Sequence, residues 1–219
     1  GQRGQFTAAQ LEAALPPRDD HFAQPSLVCI ENTHNRGGGS VWPLEQIESV
    51  TGAARGHGLA LHLDGARLWN ASAASGVSEA EYAGYFDTVS VCFSKGLGAP
   101  VGSILAGSAD VIAKARFFRK QQGGAMRQVG ILAAAAAYAL EHNRDRLTDD
   151  HANCRALASG LAKLPGLEVD AGGAETNMLF IGTGESDAAA LAKRLDDSGI
   201  RLLAPAPHTP RAVTNLTVT

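Results

Sequence analysis

Three residues equip this chain for chemistry: Lys95, Asp64 and Arg67. Lys95 follows the apolar run Val89-Ser90-Val91-Cys92-Phe93 and sits in the turn Ser94-Lys95-Gly96-Leu97-Gly98-Ala99-Pro100. A strand that stops in a glycine-rich turn sets such a lysine at the strand tip, where open α/β sheets hold ligands. There it is either a surface residue or a partly desolvated amine able to form a Schiff base. Asp64 closes a second apolar run, Leu59-Ala60-Leu61-His62-Leu63, and Arg67 stands three residues further on, near the start of a helical turn, on the side of Asp64. Taken singly, an aspartate after a strand is a helix N-cap and an arginine there is half of a surface ion pair.

Together and in this order, with about thirty residues from Asp64 to Lys95, the three meet the needs of an aldehyde cofactor such as pyridoxal 5'-phosphate. That cofactor needs an amine for its aldehyde carbon and a carboxylate to keep a proton on the pyridine nitrogen. It also needs a cation near its phenolate or near the substrate carboxylate. A buried carboxylate without a partner is costly, whereas one beside a pyridinium is compensated.

The elements that must position these residues follow from the hydrophobic pattern. Thr7 caps a short helix through Leu15 that Pro16-Pro17 ends. Ser26 to Glu31 reads as a buried strand, a helix runs from Pro43 to about Arg55, and Leu59 to Leu63 is the next strand. Strands follow at Val89 to Phe93 and Val101 to Ala106, with a helix from Ser108 to Gln121. The strands alternate with helices and are mostly apolar, the pattern of a sheet covered on both faces. The fold class is therefore α/β: a mostly parallel sheet with helices on both faces, plus a smaller α+β C-terminal unit, both incomplete. The alanine-rich helix from Arg127 to Glu141 suits burial at a domain or subunit contact. Residues 1–144 form part of the large unit and residues 145–219 the small one, with a helix at about 146–163, strands at Leu167-Val169 and Thr176-Ile181, a helix from Ser186 and two short strands. The chain opens on a loop and stops at Thr217-Val218-Thr219 inside a strand pattern, as if cut from something longer.

With 22 acidic against 19 basic residues and a formal net charge of −3, the chain is not built for nucleic acid or an anionic membrane. No apolar run approaches the roughly 20 residues of a membrane span. Cys29, Cys92 and Cys154 have neither disulfide-framework nor zinc spacing, so no metal site is expected and a reducing cytoplasm is the simple setting.

Four stretches carry a resemblance. They are Glu31-Asn32-Thr33-His34-Asn35, His62-Leu63-Asp64-Gly65-Ala66-Arg67-Leu68-Trp69-Asn70-Ala71, Ser94 to Ser103, and Gly123-Gly124-Ala125-Met126-Arg127-Gln128. All four resemble motifs of the low-specificity L-threonine aldolases, pyridoxal-phosphate enzymes of the aspartate-aminotransferase fold. The resemblance implies that Lys95 is the Schiff-base lysine, that Asp64 pairs with the pyridine nitrogen, and that Arg67 lies near the phenolic oxygen and the substrate carboxylate. Arg211 matches the family's second carboxylate-binding arginine, although Asn215 stands where the family carries histidine. His34, Lys120 and Arg127 are candidates adjacent to the site. The resemblance further implies a small β-hydroxy amino acid as substrate and a homotetramer with sites at a dimer contact. The family's amino-terminal third, with its phosphate-cradling loop, is missing from the match. Gly37-Gly38-Gly39 lacks the following helix N-terminus of a phosphate cradle and instead lets the backbone approach the cofactor or another subunit. A histidine within or beside a strand, such as His34 or His62, is as readily structural as catalytic.

The activity implied is retro-aldol cleavage to glycine and an aldehyde. Two rivals stand beside it: another pyridoxal-phosphate β-eliminating lyase on the same scaffold, and an inactive fragment lacking the phosphate-binding segment.

Overall fold

The computed structural model describes residues 1–218. After a short 3-10 turn at Gln2–Gly4, α1 (Ala8–Ala14) begins in a capping box. The Thr7 hydroxyl accepts the Gln10 N–H at 3.2 Å, and the Gln10 side chain accepts the Thr7 N–H at 2.9 Å. There follow β1 (Leu27–Glu31), α2 (Leu44–Gly56), β2 (Ala60–Gly65), α3 (Leu68–Ser75), α4 (Glu79–Ala83), β3 (Thr88–Cys92) and β4 (Ser103–Gly107). The chain continues through α5 (Ala109–Gln121), α6 (Gly130–His142), α7 (Leu147–Leu161), β5 (Met178–Phe180), α8 (Ala188–Asp196), β6 (Leu203–Ala206) and β7 (Thr209–Val213). No helix among the described residues is long and apolar enough to cross a membrane.

The first sheet has the order β1-β2-β3-β4. Its first three strands are parallel, and β4 returns antiparallel to β3. Parallel pairing requires crossovers, which α2 and the α3–α4 pair supply. The second sheet, β5-β7-β6, is antiparallel throughout.

Several expectations shift in detail. Leu167-Val169 keeps only a single bridge, Glu168 to Gly182, between the breakers Pro165-Gly166 and Gly172-Gly173. Thr217 and Val218 lie in a turn rather than a strand: the Asn215 side chain accepts the Thr217 N–H at 3.1 Å, and its carbonyl accepts the Val218 N–H at 2.8 Å. Thr219 lies outside the described residues. The alanine-rich helix starts at Gly130 rather than Arg127, after Gln128 takes a φ of 50°. It buries only Ala139, and Ile131 remains 84% exposed.

The strands of the first sheet alternate rather than being uniformly apolar. Val28, Ile30, Leu61, Leu63 and Val89 point into one core with Trp42, Ile47, Val50, Leu68 and Tyr82. The crossover helices α2 and α3 therefore lie against that face. The opposite face carries Cys29, Glu31, His62, Asp64, Thr88 and Ser90, none of them buried. The expected cover on both faces is thus realised on one face among the described residues. The other face is left polar.

The two sheets are joined by polar contacts far apart in sequence. Arg3 pairs with Glu175 at 2.8 Å, and Glu175 accepts the Val41 N–H at 2.9 Å. The Thr176 hydroxyl donates to the Gly39 carbonyl at 2.8 Å. Gly39 has a φ of 73°, and a Cβ there would fall on Thr176 Oγ1. The Gly37-Gly38-Gly39 loop therefore closes on the second sheet of the same chain. A second joint sits under α3 and α7, where the Asn70 amide meets His151 Nε2 at 3.0 Å, both side chains buried. Beside it the Thr214 hydroxyl donates to the Asp150 carbonyl at 2.6 Å, while the Asp150 carboxylate takes both ends of Arg146. Burial first, and the nearby charge of Arg155 second, push His151 from its ordinary 6.5 down to about 4.

Two outcomes are expected. Gly39→Ala combines left-handed strain with a steric clash and costs about 2–4 kcal/mol in urea unfolding. Gly58→Ala, at a φ of 72° with open space around it, costs about 1 kcal/mol. Equal losses in the two variants would show that the Gly39–Thr176 approach contributes nothing. The second concerns pH. Below its ordinary 6.5 the unfolded imidazole takes a proton that the folded one refuses until about 4, so the unfolded state binds more protons and stability falls as pH drops through that window. The urea midpoint of the parent protein should fall between about pH 7 and about pH 5. In His151→Gln the fall should be smaller, and an identical fall would remove His151 from the account.

Candidate active site

Glu31 pairs with Asp64 across β1 and β2, and Asp64 pairs with Ser90 across β2 and β3. Glu31 and Asp64 lie at the carboxyl ends of parallel strands, the edge where α/β sheets collect ligands, with Ser90 alongside in the middle of β3. Asp64 is half-buried, and one carboxylate oxygen accepts the Ala66 N–H at 3.1 Å. Its backbone carbonyl accepts the Asn32 N–H at 2.9 Å, which ties the loop after β1 to β2.

Lys95 stands three residues beyond the end of β3. Its Nζ lies 3.4 Å from Cys92 Sγ, and no other polar partner of Nζ occurs among the described residues. Side chains alternate along a strand, so Cys92 shares the face of Ser90 and hence of Asp64. The amine therefore reaches back toward the face that carries the carboxylate. The turn is braced from outside. The Trp69 indole donates to the Cys92 carbonyl at 3.0 Å, the Asn143 amide donates to the Leu97 carbonyl at 2.7 Å, and Leu97 is fully buried. A Cβ at Gly96 would come within 2.9 Å of Leu147 and 3.0 Å of Asn70, so glycine is what lets the turn lie against α3 and α7.

Arg67, at the start of α3, is where these groups converge. Burial and then the like charge of Arg211 lower its pKa, while Glu31, Cys92 and Asp64 act in the opposite sense; a guanidinium remains charged throughout. The two arginines thus lie within electrostatic range of one another, Arg67 ahead of α3 and Arg211 on β7. Arg211 extends from β7 and donates to the Asn35 side chain at 2.7 Å, and Asn35 N–H donates to Glu31 at 2.9 Å. The Arg211 Nε is buried and has no hydrogen-bond partner among the described residues. Guanidiniums with donors to spare are suited to a carboxylate or another oxyanion.

His34 and His62 are engaged locally. His34 Nδ1 accepts the Gly37 N–H at 2.9 Å while Nε2 lies 3.5 Å from Glu31, so this ring braces the loop. His62 Nδ1 meets the Thr88 hydroxyl at 2.8 Å on the open sheet face. Lys120, at the end of α5, and Arg127, in the loop before α6, are exposed, and neither enters the polar contacts around Asp64. Sequence reasoning had passed over Glu31, Asn35 and Cys92 as site groups. Only their places at or just beyond strand ends could have signalled them.

The donor set fits a pyridoxal group. It offers an amine whose one neighbour is a thiol, a carboxylate with an oxygen to spare, and an arginine pair with an unpartnered buried Nε. The Gly37-Gly38-Gly39 loop is closed on Thr176 and offers no cradle for a phosphate.

Comparison with known proteins identifies the family. The family model described as beta-eliminating lyase matches residues 1–183. The chain is 42% identical over 215 residues to the probable low-specificity L-threonine aldolase 2 of Arabidopsis thaliana, covering 96% of this chain and 61% of that protein. It is 43% identical over 215 residues to the low specificity L-threonine aldolase of Escherichia coli (strain K12), covering 98% of this chain and 62% of that one. Among solved structures it is similar to a putative L-allo-threonine aldolase from Listeria monocytogenes EGD-E, with a TM-score of 0.81 at 25% identity over 98% of this chain and 61% of that one. An aspartate aminotransferase from Thermotoga maritima, with a TM-score of 0.68 at 17% identity over 97% of this chain and 56% of that one, shares the fold. The chain spans about three-fifths of the length of these curated relatives. Because the match takes in the whole parallel sheet and runs on past β5, the chain belongs to the beta-eliminating lyase family.

Proposed function

We propose that this chain is part of a pyridoxal-phosphate-dependent aldolase that cleaves L-threonine, L-allo-threonine and related β-hydroxy-α-amino acids to glycine and an aldehyde. The observation that carries the reading is the single row of Glu31, Asp64 and Ser90 across the parallel strands, with the Lys95 amine against Cys92 on the same face and Arg211 tied to Glu31 through Asn35. The likeness to low-specificity L-threonine aldolases supports the same substrate class.

When bound, pyridoxal 5'-phosphate supplies an electron-accepting ring for the electron pair released at Cα. Lys95 is the amine for its aldehyde carbon. Asp64 holds a proton on the ring nitrogen, and the half-buried setting strengthens that pairing. Arg67 and Arg211 grip the substrate carboxylate from two sides, which orients Cα and so decides which of its bonds breaks. The proton on the β-hydroxyl needs a base, and His34 and His62 are both committed to local partners, so neither is assigned it. Lys120 and Arg127 belong in this reading to the site's surroundings in an assembled enzyme. The reading also divides the chain into a cofactor-binding part, 1–144, and a smaller part, 145–219. A homotetramer is supported by apolar side chains left outside, such as Phe117 at 63% exposure. Three cysteines without a disulfide suit a cytoplasmic setting.

The family description favours a second reading, β-elimination from an amino acid by the same residues. Supplying L-threonine with pyridoxal 5'-phosphate separates the two, since aldol cleavage yields glycine and acetaldehyde whereas elimination yields ammonia and a keto acid. Lys95→Ala should abolish both the cofactor's absorbance band and product formation; a surviving band would remove Lys95 from its role. Arg211→Ala should raise KM for threonine roughly 10–100-fold with a smaller change in kcat, the loss of a charge-assisted hydrogen bond of about 1.5–3 kcal/mol. An unchanged KM would exclude Arg211 from the carboxylate grip.

A further inference from the structure

We propose that Cys92 and Lys95 form a peroxide-sensitive pair, in which oxidation of the thiol leads to a reversible sulfur–nitrogen bond that withdraws the Lys95 amine from chemistry. The inference goes beyond the aldolase reading and concerns the cofactor-free chain, in which the Lys95 amine is unblocked and only the two side chains are needed.

The Nζ–Sγ distance is 3.4 Å, with no competing polar partner for the amine among the described residues. The backbone holds the pair together. Cys92 ends β3, and the Gly98 N–H closes the following turn on the Lys95 carbonyl at 2.8 Å. The Ala99 N–H returns to the Phe93 carbonyl at 3.0 Å, and the Trp69 indole holds the Cys92 carbonyl. A short ring between residues three apart therefore forms with little further ordering of the chain. Lys95 is exposed and Cys92 half-exposed, so a small oxidant reaches the sulfur. The other cysteines differ: Cys154 is buried, and Cys29 is exposed two strands away with no amine in contact.

The chemistry balances with hydrogen peroxide as oxidant. The Cys92 sulfur attacks peroxide; the O–O bond breaks, an S–O bond forms, and water leaves, so sulfur is oxidised and peroxide reduced. The Lys95 nitrogen then attacks that sulfur; an S–N bond forms, the S–O bond breaks, and the departing hydroxide leaves as water with a proton from the amine. A thiol reductant cleaves the S–N bond, restores the thiol and the amine, and is itself oxidised to a disulfide.

The test treats the protein with hydrogen peroxide, digests it with trypsin without reductant, and weighs the peptides. In the parent protein the peptide 68–95 should disappear in favour of 68–114, lighter by two hydrogens, because trypsin cannot cut after a blocked lysine. Dithiothreitol should restore cleavage. Cys92→Ser should cleave normally after peroxide. In Lys95→Arg, Cys92 should be trapped by dimedone as the sulfenic acid, with no loss of hydrogens. Recovery of Cys92 as sulfinic or sulfonic acid with normal cleavage at Lys95 would overturn the proposal. So would a disulfide to Cys29, or the same two-hydrogen loss in Lys95→Arg, since the bond would then involve another nitrogen.

Discussion

Parallel pairing of β1, β2 and β3 over one apolar core is the constraint on which the site depends. Leu61 and Leu63 are wholly buried, and Ile30 nearly so. Each is flanked in sequence by a residue of the opposite face, so a slip of one residue would drive Asp64 into the core and lift Leu63 into the open. Hydrophobic burial, worth about 1.5–3 kcal/mol for each such side chain, thereby fixes the register. The register in turn aligns Glu31, Asp64 and Ser90 in one row. The placement of this polar row is a by-product of packing on the other side of the sheet.

The turn after β3 is held by a different means. It has little strand pairing of its own and is pinned by side chains from α3, α6 and α7. The Trp69 indole, the Asn143 amide and the buried Leu97 each fix a different point of it. A lysine on such a turn keeps a mobile tip on a rigid base, which suits an amine that must exchange partners. The same rigidity holds Cys92 beside it, with its sulfur 3.4 Å from the amine.

The second sheet contributes through one strand. Arg211 on β7 reaches the first sheet by way of Asn35, and the Arg3–Glu175 and Thr176–Gly39 contacts lock the approach. These contacts join residues more than a hundred positions apart. The polar face of Cys29, His62, Thr88 and Ser90 stays open among the described residues, in keeping with a chain that spans about three-fifths of its relatives. An uncovered polar face costs little in water.

Much of this was readable from local pattern. Asp64, Arg67 and Lys95 declared themselves because each follows an apolar run that breaks sharply, and the order of strands and helices up to α5 came from periodicity with Thr7, Pro16 and Pro43 as punctuation. The alternation within the strands was harder to see, since Cys29 and Cys92 count as apolar in sequence yet stand on the polar face. What the chain alone determined was which residue types stand at strand ends, because strand termination is a short-range matter of glycine, proline and hydrophobic run length. What only the tertiary structure decided was which of those ends meet. The contact of Arg211 with Asn35, the closure of the glycine loop on Thr176 and the contact of the Lys95 amine with Cys92 depend on folded distances that no spacing in sequence encodes.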